Sequence, residues 1–196
     1  MLSPERIRER YERIKAEVGP SVTVVAATKY VALSDMRVLV DAGIEVVGEN
    51  RAQDLEAKHA EYGDAFRWHF IGHLQSNKVK VVNRMCELVH SLDSHSAAGR
   101  LEVPTLLEVN LAGEGSKSGV APEEINDYLR YGIRGLTTMP PAAANPEESR
   151  PWFARLAALA SEHRLAELSM GTTQDFRVAA EEGATYVRVG SILFHE

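Results

Sequence analysis

Residues 22–28, VTVVAAT, run almost wholly apolar and then meet one ammonium group, Lys29. A lysine closing a buried strand can do two things. Its aliphatic stem can cover an apolar mouth while the head reaches water. Alternatively, desolvation and nearby cations lower its proton affinity, and the neutral amine attacks a carbonyl to hold it as a Schiff base. If that carbonyl ligand also carries a phosphate, the site needs an anion cradle. Two stretches late in the chain offer one: ELSMGTT (167–173) and VRVGS (187–191). Each supplies glycine for close backbone approach, hydroxyls, and N–H groups near a helix start.

The elements that must position these residues follow from the periodicity. Short runs rich in Val, Ile and Leu alternate with longer helical segments, the pattern of a parallel α/β fold. Strands are predicted near 22–28, 44–47, 67–71, 86–90, 104–109, 131–136, 166–169 and 185–189. Helices are predicted at 34–42, 51–61, 76–84, 122–130, 147–163 and 174–183, with an extra one at 3–17 ahead of the first strand. Eight such units in one domain favour a closed (β/α)8 TIM barrel over an open sheet. SHSAAGRLEV, after the fourth strand, leaves room for an unusually short crossover. Barrel chemistry gathers at the carboxyl ends of the strands. The candidate rim is therefore Lys29; Gly48, Glu49 and Asn50; Gly72 and His73; Ser91 and Asp93; Asn110; Met139; Ser169, Met170 and Gly171; and Arg188, Gly190 and Ser191.

Composition limits the function classes. The chain has 196 residues, 44% hydrophobic and 26% charged, with a formal net charge of −6. That fits one compact soluble domain and gives no electrostatic footprint for nucleic acid. No apolar run reaches membrane-spanning length, and the charged N-terminal segment is no signal peptide, so the expected location is the cytoplasm. One cysteine, Cys86, excludes an internal disulfide; MCELVH reads as a buried strand with Cys86 as a small core residue.

Several stretches together resemble one family. VAATKYV, GENRAQDLEAK, WHFIGHLQSNK, VHSLDS, EVNLAGEGSKSGV, GLTTMPP and LSMGTTQDFRVAAEEGATYVRVGS are similar, in that order, to the pyridoxal phosphate homeostasis proteins of the YggS/PROSC type. The resemblance covers nearly the whole chain from residue 22. It implies a fold-type III barrel like the N-terminal domain of alanine racemase, spanning residues 1–196 as a single domain that binds pyridoxal 5′-phosphate (PLP). Lys29 would form the Schiff base and Arg188 would face the pyridine nitrogen. Ser169, Gly190 and Ser191 would hold the phosphate, and Asn50, Met170 and Gly171 would line the pocket. A permanent cation at that nitrogen keeps it unprotonated and weakens the ring as an electron sink. Racemases with this arrangement use a second base from an added domain, and VRVGSILFHE leaves no room for one. The expectation is a carrier or regulator of PLP that acts in amino-acid balance, without catalysis or metal, as a monomer whose partners are PLP and PLP-dependent apo-enzymes. A PLP-dependent racemase and a cofactor-free barrel for another phosphorylated metabolite are the alternatives. Thr172 departs from the family's usual methionine, Thr173 and Ser191 are mild hydroxyl exchanges, and the helix after Ser94 is shortened.

Other signals are weaker. AGEGSKSG (112–119) has Ser116 where a nucleotide-binding P-loop demands glycine, so it reads as a loop near the barrel mouth. His69 and His73 are four apart but span a strand end, which favours hydrogen-bonded or pocket-lining rings over a metal pair. Asn50 also fits a helix cap, Asp175 a first-turn anion, and Met139 and Met170 fit core packing as readily as cofactor contact.

Overall fold

The computed structural model describes residues 3–115 and 118–194. Ser116, the residue on which the P-loop reading fails, lies outside them. The strands are β1 Thr23–Ala27, β2 Val46–Glu49, β3 Arg67–Phe70, β4 Leu88–Leu92, β5 Thr105–Glu108, β6 Gly135–Thr137, β7 Glu167–Ser169 and β8 Tyr186–Val189. They close in chain order into one parallel barrel, β8 pairing back onto β1 through Thr23↔Tyr186 and Val25↔Arg188. The helices are α1 Pro4–Val18, α2 Met36–Ala42, α3 Ala52–Tyr62, α4 Val79–Met85, α5 His95–Ala98, α6 Ile125–Leu129, α7 Arg150–Glu162, α8 Phe176–Glu181 and α9 Ser191–Phe194. None of the helices among the described residues is long and apolar enough to cross a membrane.

Helix α1 shows how local sequence sets an element. Ser3 caps it, Pro4 opens it, and Gly19 ends it at φ 85°. Its buried residues Ile7, Tyr11, Ile14 and Val18 recur at helical spacing and pack over the β1–β8 flank, against α2, α8 and α9. Arg177 of α8 donates to Glu17 at 2.7 Å, which ties the two helices together at the surface.

Three strands, β2, β4 and β6, begin two or more residues later than the sequence reading places them, each for the same reason. Ile44, Cys86 and Ile133 are buried, but in the turns that enter β2, β4 and β6 rather than in the strands. Apolar residues there bury against helices, so apolarity marks the core and not the ladder. Cys86 follows α4 as its C-terminal cap; burial pushes its thiol up to about 12. The crossover after β4 is the four-residue helix α5, as short as expected.

Residues pointing outward from the strands, such as Val24, Val47, Val89, Leu107 and Leu136, join the helix faces in one apolar cluster. The inward layer is different. It carries His69, His90, Thr137, Ser169 and Arg188, all buried and hydrogen-bonded, where barrel interiors are ordinarily filled by branched apolar side chains.

Candidate functional site

A cavity of about 270 Å³ opens at the carboxyl ends of the strands. Lys29, Asn50, Arg188, Gly190 and Ser191 all line it, drawn from the ends of β1, β2 and β8. The other three expected residues do not. Ser169 closes β7 beneath the cavity, its hydroxyl bonded to His90 Nδ1 at 2.7 Å and to Arg188 at 3.0 Å. Met170 is wholly buried in the core. Gly171 turns the chain at φ +89°, and a Cβ there would lie 2.4 Å from that of Ala179, so its glycine serves tight packing against α8. The next two residues, Thr172 and Thr173, take the place on the wall. Thr173 Oγ1 accepts the Gly190 amide at 3.2 Å, which joins the β7 and β8 loops into one hydroxyl-rich corner with Ser191.

Arg188 is held from several sides. Nη1 donates to Thr137 Oγ1 and Ser169 Oγ, and Nη2 to the Thr138 carbonyl at 3.0 Å and to Met139 Sδ at 3.0 Å. Burial lowers its proton affinity, opposed by the nearby Glu108 and Asp175, but a guanidinium remains a cation at any ordinary pH. Met139, expected in the core or on the cofactor, is half exposed and acts through its sulfur on the arginine.

Lys29 differs from the expectation of a desolvated amine. It lies two residues beyond β1, exposed, with its ammonium 4.8 Å from the centroid of the exposed Tyr30 ring. What is fixed is the residue before it. Lys58 on α3 is buried, donating to the Thr28 carbonyl at 2.8 Å and to Glu49 at 2.6 Å, while the Thr28 hydroxyl also donates to Glu49. A buried ion pair thus anchors the root of the lysine loop.

The remaining rim residues sort themselves by partner. His73 Nδ1 pairs with Asp93 at 3.0 Å, Ser91 donates to the Gly72 carbonyl, and Asn110 donates to the Glu114 carbonyl at 2.9 Å. His69 turns away from His73 and bonds His90, and among the described residues no cluster could hold a metal ion. Asp175 folds its carboxylate back onto the Thr172 amide at 2.7 Å, fastening the turn before α8. Glu108 and His90, which also line the cavity, were missed from the sequence. Their signal was present: each is a titratable residue at an inward position of a strand whose other residues carry no ionisable group. Glu108 accepts from Ser118 at 2.8 Å, and burial raises its carboxyl above the usual range.

The residues present fit a phosphorylated, aromatic aldehyde. The hydroxyl corner suits the phosphate, a clamped cation faces the interior, and an amine stands free across the mouth. Asn50 Oδ1 is buried at the wall without a partner, an acceptor that a ligand hydroxyl would satisfy.

An eight-stranded parallel barrel carrying this rim places the chain in the class of the alanine racemase N-terminal domain, whose family model matches residues 2–196. Curated relatives divide that class further. The pyridoxal phosphate homeostasis protein of Aquifex aeolicus is 37% identical over 97% of this chain and 95% of its own. That of Deinococcus radiodurans is 38% identical over 96% and 95%. The chain belongs to the pyridoxal phosphate homeostasis protein family. The solved structure of PipY from Synechococcus elongatus with PLP bound superposes with a TM-score of 0.87 at 33% identity, covering 96% of this chain and 99% of that one. The lysine/ornithine decarboxylase of Vibrio vulnificus, 16% identical with a TM-score of 0.73, shares the fold alone and is longer, 62% of it being covered.

Proposed function

We propose that residues 1–196 form one PLP-binding domain that holds the cofactor as a Schiff base on Lys29 and serves as a carrier or regulator of PLP. The observation that carries this reading is convergence. Lys29, Asn50, Arg188, Gly190 and Ser191, distant in sequence, line one cavity of about 270 Å³. PLP supplies an aldehyde carbon that condenses with a neutral amine and an aromatic ring that withdraws electrons. Lys29 offers the amine, and Thr172, Thr173 and Ser191 offer hydroxyls to the phosphate beside Gly190. Arg188 would meet the ring nitrogen as a permanent donor, which would leave that nitrogen unprotonated and the ring a weak electron sink.

That balance favours holding over catalysis. Relatives named for homeostasis rather than for a reaction support it. The accessible position of Lys29 suits an amine that must take up and give back its cargo. The expected recipients are PLP-dependent apo-enzymes, met by a monomer in the cytoplasm.

The test is the visible spectrum of the protein with and without PLP, for the wild type and Lys29→Ala, followed by borohydride reduction and peptide mapping. A yellow band that becomes a covalent adduct on Lys29 supports the reading. No band and no adduct would make Lys29 a surface cation and end it.

A further inference from the structure

Beneath the cavity, side chains from four strands form one chain of hydrogen bonds. Arg188 Nη1 meets Ser169 Oγ at 3.0 Å, Ser169 Oγ meets His90 Nδ1 at 2.7 Å, and His90 Nε2 meets His69 Nδ1 at 2.9 Å. All four residues are buried, Arg188 being the most accessible at 8%. The direction of the chain follows from chemistry. A guanidinium only donates, so Ser169 receives from Arg188. The single Ser169 proton then goes to His90 Nδ1, which must be bare. A neutral His90 carries its proton on Nε2 and donates it to His69 Nδ1, which leaves the His69 proton on Nε2.

The reverse order would orphan the wholly buried Ser169 hydroxyl proton, a loss larger than a hydrogen bond's net contribution. In the forward order the last proton stands on His69 Nε2, which is not among the buried polar atoms lacking a partner. Both rings are neutral, because burial drives their proton affinity far down, helped by Arg67 at His69 and by Arg188 at His90.

We propose that His90 and His69 are positioning residues: through Ser169 they lock Arg188 toward the cavity, and their donors, aimed away from it, pass no proton through Arg188 to a ring nitrogen there. The proposal deepens the PLP reading and rests on it for its meaning, while the hydrogen-bond order itself needs no ligand. It identifies why this barrel holds a cofactor without activating it. The donor facing the ring cannot release its proton, and nothing behind that donor can pass one forward.

The first experiment uses the full chain without cofactor, labelled with nitrogen-15 in histidine and arginine. Long-range proton–nitrogen correlation should show both rings as Nε2–H tautomers and separately resolved guanidinium protons for Arg188. A Nδ1–H tautomer or a doubly protonated ring at His90 overturns the proposal. The second experiment compares two variants. His90→Gln keeps a carbonyl to accept from Ser169 and an amide to donate to His69; it should retain resolved Arg188 signals and PLP affinity within about threefold of wild type. His90→Leu has neither and should merge those signals and weaken PLP binding about tenfold or more. Unchanged signals and affinity in His90→Leu overturn the proposal; should that variant not fold, Ser169→Ala cuts the chain at its other link and is read the same way. Absence of any visible band with PLP in the wild type, with the tautomers as derived, overturns the role toward the ring by removing the PLP reading, and leaves the bonding order standing.

Discussion

The two ends of the cavity are built on opposite plans. On the β6–β8 side the functional group itself is immobilised, with Arg188 bonded to Thr137, Ser169, Thr138 and Met139. On the β1–β2 side only the root is immobilised, Thr28 being held by Lys58 and Glu49 while Lys29 stays exposed. Under the proposed function the difference would separate two tasks: a group that sets the electronic state of a ring would have to stay still, whereas an amine that makes and breaks a bond to cargo would have to turn freely on a fixed root.

Perturbing each end should expose that division through stability. The largest effect belongs to the buried base. Lys58→Met leaves the Glu49 carboxylate wholly buried and unpaired, and should cost about 3–5 kcal/mol in urea unfolding. Adding Glu49→Gln should restore much of that loss, since the ion pair and not the side-chain volume is at stake. Next comes acid. His69, pushed down to about 3, and His90, also far below its ordinary value, stay neutral when folded but charge near the ordinary 6.5 when unfolded. Their folded values are depressed, so the unfolded state binds more protons. Stability is fully present above pH 6.5 and falls as pH drops toward the folded values. Two such groups give a slope of up to about 2.7 kcal/mol per pH unit. Denaturation between pH 6.5 and 5 measures it, and His90→Gln should flatten it.

Gly171→Ala should cost about 1–3 kcal/mol, because it combines a left-handed backbone with a collision against Ala179. The smallest effect on stability should come from the residue to which the proposed function assigns the covalent bond. Lys29→Ala, at an exposed position, should change unfolding by less than about 0.5 kcal/mol while abolishing the covalent adduct. A large destabilisation there would show that the lysine is built into the fold after all, and would erase the contrast.

The sequence disclosed the barrel and part of its rim for physical reasons that also explain the omissions. Eight apolar runs separated by helical segments are enough for closure, and strand ends in such a fold are where ligands gather. Lys29, Asn50, Arg188, Gly190 and Ser191, each at or just past a strand end, therefore come together on one cavity. Boundaries blurred where Ile44, Cys86 and Ile133 bury themselves in turns. At Ser169, Met170 and Gly171 the motif did not say which residue of a tight turn faces inward, and the cavity wall there is Thr172 and Thr173. His90 and Glu108 stand in LVHSL and TLLEV, where the one titratable residue of each run marks an inward position with a partner to satisfy.

Closure of the barrel has a further consequence, in the order of events during synthesis. Lys29 leaves the ribosome early, yet Arg188 and the Gly190–Ser191 corner come with β8, the strand that seals against β1 after every other strand exists. Domains fold as units as the chain emerges, and a nascent chain lacking β8 has Lys29 without Arg188, Gly190 or Ser191. A chain that stops short of β8 should therefore lose the cavity wall together with the closure of the barrel.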